Sequence, residues 1–272
     1  MTDQAVDPTH VTPYLRPESL KLQPFKAIKA FNRLIRDKED TAQVFEIMRA
    51  LTGKAVPRGY RRMLRTVEGG RQAFIGSELV DRLNDRAWLA GFAPGTVGAA
   101  YRDFLAERGF EPDGLVEIER KVIPTVDAPH PVAWYGRRLR DIHDIWHVLA
   151  GYETDALGEA CVVSFSYPQT RQLGFAFIGI GAANEIYREN RSVPARKAIL
   201  EAYRNGKKAA WLPALDYEAL FAEPLEEARR RLNIHPPKVY NSVPREVRQA
   251  LKLRSPAMAI SPAESSVWRR PS

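Results

Sequence analysis

Residues 143–159 have the sequence HDIWHVLAGYETDALGE. On a helix of about 3.6 residues per turn, His143 and His147 lie one turn apart on the same face, and Asp144 lies about 60° around the axis from His147. Two imidazoles beside a carboxylate are suitable ligands for a divalent transition metal. The stretch therefore predicts a helix with a metal site, for which zinc is the first candidate and iron, manganese and cobalt are alternatives.

Glu159 can join this site only if the chain turns back after the first helix. On an unbroken helix, Glu159 would lie about 18 Å along the axis from His147, whereas a metal ligand must approach the ion to about 2 Å. Gly151 favours the end of a helix, and Thr154 or Asp155 favours the start of the next one. We therefore predict a helix–turn–helix that brings Glu159 beside the histidine pair.

Two classes of metal hydrolase share part of this pattern. Zinc peptidases carry HExxH, in which the glutamate is the base, but this chain has the shorter Asp144 at that position. Metal phosphohydrolases of the HD type need a further upstream histidine and a distant aspartate, which the sequence alone does not identify. A hydrolase that acts on a phosphate or an amide therefore remains an alternative.

The composition indicates a single globular domain, and the spacing of apolar residues indicates that it is mostly helical. The chain has 272 residues, of which 44% are hydrophobic and 27% are charged, and it shows no internal repeat. Apolar residues from Phe31 to Leu51 recur at helical spacing, and Thr96 is a suitable N-cap for a helix that carries Tyr101. Cys161 is the only cysteine, which excludes an intrachain disulfide and favours a small core residue.

The net charge of +8 is unevenly distributed along the chain. Residues 54–71 carry six basic side chains and one acidic one, and residues 241–272 carry six basic and two acidic. Such segments favour anionic surfaces, although each alone can equally be an ordinary solvated face. No nucleic-acid-binding motif accompanies them, so we expect no nucleic acid partner.

The chain resembles the coenzyme Q (ubiquinone) biosynthesis proteins of the Coq-four type. The hallmark of that family is HDxxH, eleven intervening residues and then Glu, and His143, Asp144, His147 and Glu159 match it in every position. The segment FAPGTVGAAY at residues 92–101 and the GKK run at residues 206–208 match the same family. The resemblance covers roughly residues 28 to 240.

The resemblance implies an all-α protein that binds a divalent metal, often zinc, at His143, Asp144, His147 and Glu159. It further implies an action on a polyprenylated benzenoid precursor of ubiquinone, namely removal of the ring C1 carboxyl group coupled to hydroxylation of that carbon. The alternative is a scaffold without catalytic activity that binds lipid and organises the other ubiquinone biosynthesis enzymes. We therefore expect a metal-dependent enzyme but leave the scaffold role open.

Further residues are predicted to contact the precursor. Lys207 and Lys208 could hold an anionic headgroup, although solvated surface lysines are the more frequent case. Gly179 lies in the run LGFAFIGIGAA at residues 173–183, where small residues alternate with large ones. Glycines destabilise a helix unless something packs closely against them, so the run predicts either a helix–helix contact or a groove for an isoprenoid tail.

The expected architecture is one compact helical domain with extended termini. We place an extended segment at residues 1–24, the metal-binding domain at 25–240 and a basic, partly disordered tail at 241–272. The N-terminus resembles neither a secretory signal nor a transit peptide. Because the precursor resides in a membrane, we expect a cytoplasmic protein on the bacterial inner membrane, or a matrix-side protein in a eukaryote. Homo-oligomerisation remains open.

Overall fold

The computed structural model describes residues 21–37, 40, 42–108, 119, 121–123 and 128–251. These residues form α-helices and one short 3-10 helix, and between Lys21 and Leu251 the described residues contain no strand, only an isolated bridge from Thr96 to Pro224. The prediction of an all-α protein is therefore confirmed.

The helices fall into two groups along the chain. The first group precedes the HDxxH segment and comprises α1 (Pro24–Arg36), α2 (Ala42–Thr52), α3 (Ala55–Met63), α4 (Val67–Ile75), α5 (Leu79–Leu83), α6 (Arg86–Ala90), α7 (Val97–Arg108) and α8 (Pro131–Asp141). The second group comprises α9 (His143–Ala150), α10 (Ala156–Thr170), α11 (Leu173–Glu189), α12 (Ala195–Lys208), the 3-10 helix Leu212–Ala214, α13 (Tyr217–Phe221), α14 (Leu225–Arg231), α15 (Lys238–Asn241) and α16 (Arg245–Ala250).

Helix α10 is the centre of the fold and is buried along almost its whole length. It packs against α11 and α12, while α9 packs against α7 and α8. The buried hydroxyls of Ser164, Ser166 and Thr170 each donate to the carbonyl oxygen four residues earlier, so they are satisfied within the helix. Cys161 is fully buried in this helix, as expected for a core residue.

The predicted helix over Phe31–Leu51 is divided in the structure, because α1 ends at Arg36 and α2 begins at Ala42. The intervening sequence includes the charged run DKED at residues 37–40. Charged side chains are costly to bury. These four residues therefore cannot continue the apolar helix face formed by the residues on either side of them. The N-cap prediction at Thr96 is confirmed, since its hydroxyl accepts from the backbone N–H of Ala99.

The helical body continues beyond the boundary that we predicted at residue 240. Arg248 in α16 is buried, and its guanidinium contacts Asp155 at 3.2 Å and Glu153 at 3.7 Å. These contacts attach α16 to the turn before α10. Because the two segments are far apart in the sequence, the local sequence does not predict this contact. The rest of the predicted tail, residues 252–272, and most of the predicted N-terminal segment lie outside the described residues.

Across the described ranges, no helix combines the length and the apolar character needed to cross a bilayer.

Candidate metal centre

The four predicted ligand residues meet at the junction of α9 and α10. Ligand atoms of His143, Asp144 and His147 all lie within 4.8 Å of one another. Glu159 reaches them from α10, with one carboxylate oxygen 3.3 Å from Nε2 of His147 and the other 3.9 Å from Nε2 of His143. The helix–turn–helix predicted from the spacing is therefore present.

The turn that creates this junction follows from two local signals. Gly151 adopts the left-handed conformation, with φ of 75°, and donates its backbone N–H to the carbonyl oxygen of His147, which ends α9. Asp155 then caps α10, because its side chain accepts from the backbone N–H groups of Leu157 and Gly158. Glu159 consequently lies in the first turn of α10, beside α9.

A backbone carbonyl determines which ring nitrogen of neutral His147 carries the proton. Its Nδ1 lies 3.0 Å from the carbonyl oxygen of Tyr152. Because a carbonyl only accepts hydrogen bonds, Nδ1 carries a proton, and the neutral ring therefore has its lone pair on Nε2. Metal-bound histidines typically donate their other ring N–H in this way. Burial lowers the pKa of His147, but the Glu159 carboxylate outweighs burial and raises this pKa, which favours a second proton on Nε2 when no cation is bound.

Several ligand atoms of this site are buried without a hydrogen bond. Within the described residues, Nε2 of His143, Nε2 of His147 and both carboxylate oxygens of Glu159 have no hydrogen-bond partner. Leaving buried polar atoms unsatisfied is costly, about 1–3 kcal/mol for each group and more for a charged one. A divalent cation would satisfy them together, so the residues present fit such an ion.

The local charges keep Glu159 ionised. Burial alone would raise the pKa of this carboxyl, but the protonated forms of His147 and His143 outweigh burial and hold the pKa well below its usual range when no cation is bound. Glu159 is therefore a carboxylate across the physiological pH range, which is the form that binds a cation.

Aromatic side chains surround the two histidine rings. Phe104 of α7 lies 5.6 Å from the ring centre of His147, and Phe175 of α11 is parallel to His143 at 6.4 Å. The side chain of His147 is fully buried, whereas Asp144 is only half-buried. Tyr152 and Phe175 were not predicted from the sequence. A backbone carbonyl acceptor has no side-chain signature, and Phe175 lies in the run that predicted either a helix–helix contact or a groove for an isoprenoid tail.

The three predicted precursor contacts lie in different surroundings. Lys207 and Lys208 are exposed in the last turn of α12, so their proposed contact with a headgroup stays a prediction. Gly179 of α11 is buried, and a Cβ there would overlap the hydroxyl of Ser164 on α10. Because α10 and α11 approach each other closely here, helix packing explains why this position is a glycine. A role for Gly179 in holding an isoprenoid tail also stays a prediction.

Replacing Gly179 with Leu is expected to destabilise the fold, because the side chain has no space between α10 and α11. Thermal unfolding and binding of an isoprenoid lipid would be measured together, with Ile180→Leu as the exposed neighbouring control. Parallel loss of stability and binding supports helix packing. Loss of lipid binding at unchanged stability would contradict packing and favour the groove.

Replacing Asp155 with Ala is expected to weaken both the fold and metal binding. The variant loses the cap of α10 and the contacts with Tyr240 and Arg248, which should cost about 1–2 kcal/mol of unfolding free energy. Metal affinity falls as well, because Glu159 lies in the turn that Asp155 caps. Asp85→Ala, which removes the cap of α6, is the matched control and should lower stability without changing metal affinity.

Comparison with known proteins adds independent information on the family. The model of the family described as coenzyme Q (ubiquinone) biosynthesis protein Coq4 matches residues 18–238. The mitochondrial ubiquinone biosynthesis protein COQ4 homolog of Danio rerio is 32% identical, over 57% of this chain and 55% of that protein. The Nematostella vectensis homolog of the same name is 31% identical, over 61% of this chain and 82% of that protein. The match thus spans about half the length of the Danio rerio relative.

A solved structure shows the same fold. The crystal structure of a protein from Nostoc punctiforme PCC 73102, described as a ubiquinone biosynthesis protein, superposes with a TM-score of 0.59 at 19% sequence identity. The superposition covers 79% of this chain and 100% of that one. At this identity the likeness supports the fold alone.

Proposed function

Because this chain belongs to the Coq4 family of coenzyme Q (ubiquinone) biosynthesis proteins, we propose that it catalyses a metal-dependent step on a polyprenylated benzenoid precursor. The step is the removal of the ring C1 carboxyl group with hydroxylation of the same carbon. The proposal is supported chiefly by the buried atoms of His143, His147 and Glu159, which lie close together without hydrogen bonds among the described residues.

The proposed reaction balances with dioxygen as the oxidant. The bond between ring C1 and the carboxyl carbon breaks, and a bond between C1 and oxygen forms. Overall, the ring carboxylic acid, water and dioxygen give the phenol, carbon dioxide and hydrogen peroxide, so two electrons pass to dioxygen. A divalent cation bound here would supply Lewis-acid polarisation of a phenol or carboxylate oxygen.

The residues of the chain prepare the site for this chemistry. His143, Asp144, His147 and Glu159 would hold the cation, and the carbonyl of Tyr152 orients the ring of His147. Phe104 and Phe175 lie beside the two imidazoles. By limiting the access of water there, they would strengthen electrostatic interactions in the site. The half-buried side of Asp144 is where the ring of the precursor would enter.

The burial of the site favours a second candidate function. Because the side chains of His147 and Glu159 are almost completely buried, the metal could be structural, as in sites where protein ligands fill every position. In that case the chain would be a lipid-binding scaffold for the other biosynthetic enzymes.

Turnover by the purified full chain separates these two functions. The chain is incubated with zinc, iron or manganese, dioxygen and a short-tailed ring carboxylic acid precursor, and the products are analysed by mass spectrometry. Catalysis predicts the decarboxylated phenol in repeated turnovers. Binding of the precursor without any product, with every metal tested, would contradict catalysis and support the scaffold.

A further inference from the structure

A second concave site lies away from the metal centre, where the start of α3 approaches the end of α10. The cavity has a volume of about 520 Å³. Every charged side chain that lines it is basic, namely Lys54, Arg58, Arg62 and Arg171. Arg171 follows α10 at the opposite end from Glu159, about 18 Å along the helix axis, so this cavity is separate from the metal centre.

Within the part of the chain that the structure describes, the four cations lack acidic partners. Among the described residues, none of these exposed side chains forms an ion pair with a carboxylate, whereas the buried side chains of Arg140 and Arg248 do. Burial lowers the pKa of Arg62, Tyr135 opposes that effect, and the positive charge of Arg171 lowers the pKa further. The two guanidinium groups therefore repel each other, and an anion between them would relieve that repulsion.

One of the cations, Arg62, is held in place by the fold. The guanidinium of Arg62 lies 4.2 Å from the ring centre of Trp211, which restrains its plane. The indole N–H of Trp211 donates to the carbonyl oxygen of Gln169, so the ring is itself fixed to the end of α10. Arg62 consequently presents its donors in a defined orientation, as recognition of an oxyanion requires.

Arg171 occupies a backbone conformation that favours glycine. Its φ is 60°, in the left-handed region, where it ends α10 by donating its N–H to the carbonyl oxygen of Tyr167. Glycine would adopt this conformation at lower cost, by roughly 1 kcal/mol. The arginine side chain is thus not needed for the turn, and what it adds is a positive charge at the cavity.

We propose that this cavity binds a phosphate-bearing anion, either the headgroup of a phospholipid or a soluble diphosphate. The arginine fork matches two oxygens of a phosphate group, and four cations call for a ligand with more than one negative charge. Leu22, Leu173 and Trp211 add apolar walls for the part of the ligand that carries no charge. The uncapped start of α3, which has no acidic residue in its first turn, adds positive potential.

The first experiment titrates the purified full chain with inorganic pyrophosphate by calorimetry. Arg171→Gly is the informative variant, because it removes the guanidinium while glycine retains the turn. We expect about tenfold weaker binding in this variant, the loss typical of one charge-assisted hydrogen bond, at a thermal stability that is unchanged or slightly higher. Arg191→Gly, an exposed arginine in a turn outside the cavity, is the matched control and should bind like the wild type. The His147→Ala variant, titrated in parallel, identifies any pyrophosphate held at the metal centre.

The second experiment identifies the source of the phosphate. Flotation of the chain is measured with phosphatidylcholine vesicles, with and without phosphatidic acid. Flotation that requires phosphatidic acid and falls in Arg171→Gly assigns the cavity to a lipid headgroup, whereas pyrophosphate binding without such flotation assigns it to a soluble ligand. The proposal is overturned if neither probe binds, or if Arg171→Gly combined with Arg62→Gln binds both probes as the wild type does.

Discussion

The His147→Ala variant is expected to purify without bound divalent metal, while the wild-type chain retains the ion in stoichiometric amount. His147 contributes a fully buried Nε2 whose lone pair is oriented by the hydrogen bond between Nδ1 and the carbonyl of Tyr152. Alanine removes this ligand and leaves three of the four predicted ones. Metal content would be measured by inductively coupled plasma mass spectrometry after dialysis.

The control for this prediction is His235→Ala, which truncates an exposed histidine and should leave the metal content unchanged. Because truncation of His147 leaves Glu159 charged and buried, folding could also suffer, by about 3–5 kcal/mol. Glu159→Gln therefore serves as a second variant, since it removes the charge but keeps the shape. Metal retained in full by folded His147→Ala would contradict the ligand set.

Replacing Gly206 with Ala is expected to lower the free energy of unfolding by about 2–3 kcal/mol, even though alanine is the better helix former by about 1 kcal/mol. Gly206 lies in α12, the helix that packs most extensively against α10. A Cβ at this position would overlap the carbonyl oxygen of Phe165, and a backbone atom cannot move aside as a flexible side chain can. The two helices would have to separate. Chemical denaturation followed by circular dichroism measures the change.

Gly136→Ala is the matched control, because it makes the same substitution within a helix where space is available. A Cβ at Gly136 would meet only a methyl group of Val56, at 3.9 Å. We expect Gly136→Ala to be stabilising by up to about 1 kcal/mol. Equal effects of the two substitutions would show that helix propensity, rather than the contact between α10 and α12, governs both positions.

Much of the metal centre could be predicted from the sequence because its signals are local. The spacing of His143 and His147 places them on one helix face, Gly151 ends that helix, and Asp155 starts the next one. Each of these signals acts within a few residues, so the position of Glu159 followed without any long-range information. The stretch from residue 31 to residue 51 was predicted less well. Its apolar spacing indicated one helix, whereas the charged run at residues 37–40 separates two helices.

The chain by itself thus determined the all-α fold, the family and the helix–turn–helix with its four converging side chains. Tertiary structure alone decided that the carbonyl of Tyr152 faces the ring of His147, that Gly179 lies against Ser164, and that Arg248 attaches α16 to Asp155. It also decided that basic residues of α3 and Arg171 share one cavity. The physical reason is distance along the chain: helix periodicity and caps are read from neighbouring residues, whereas contacts between remote helices depend on how all their apolar faces pack together.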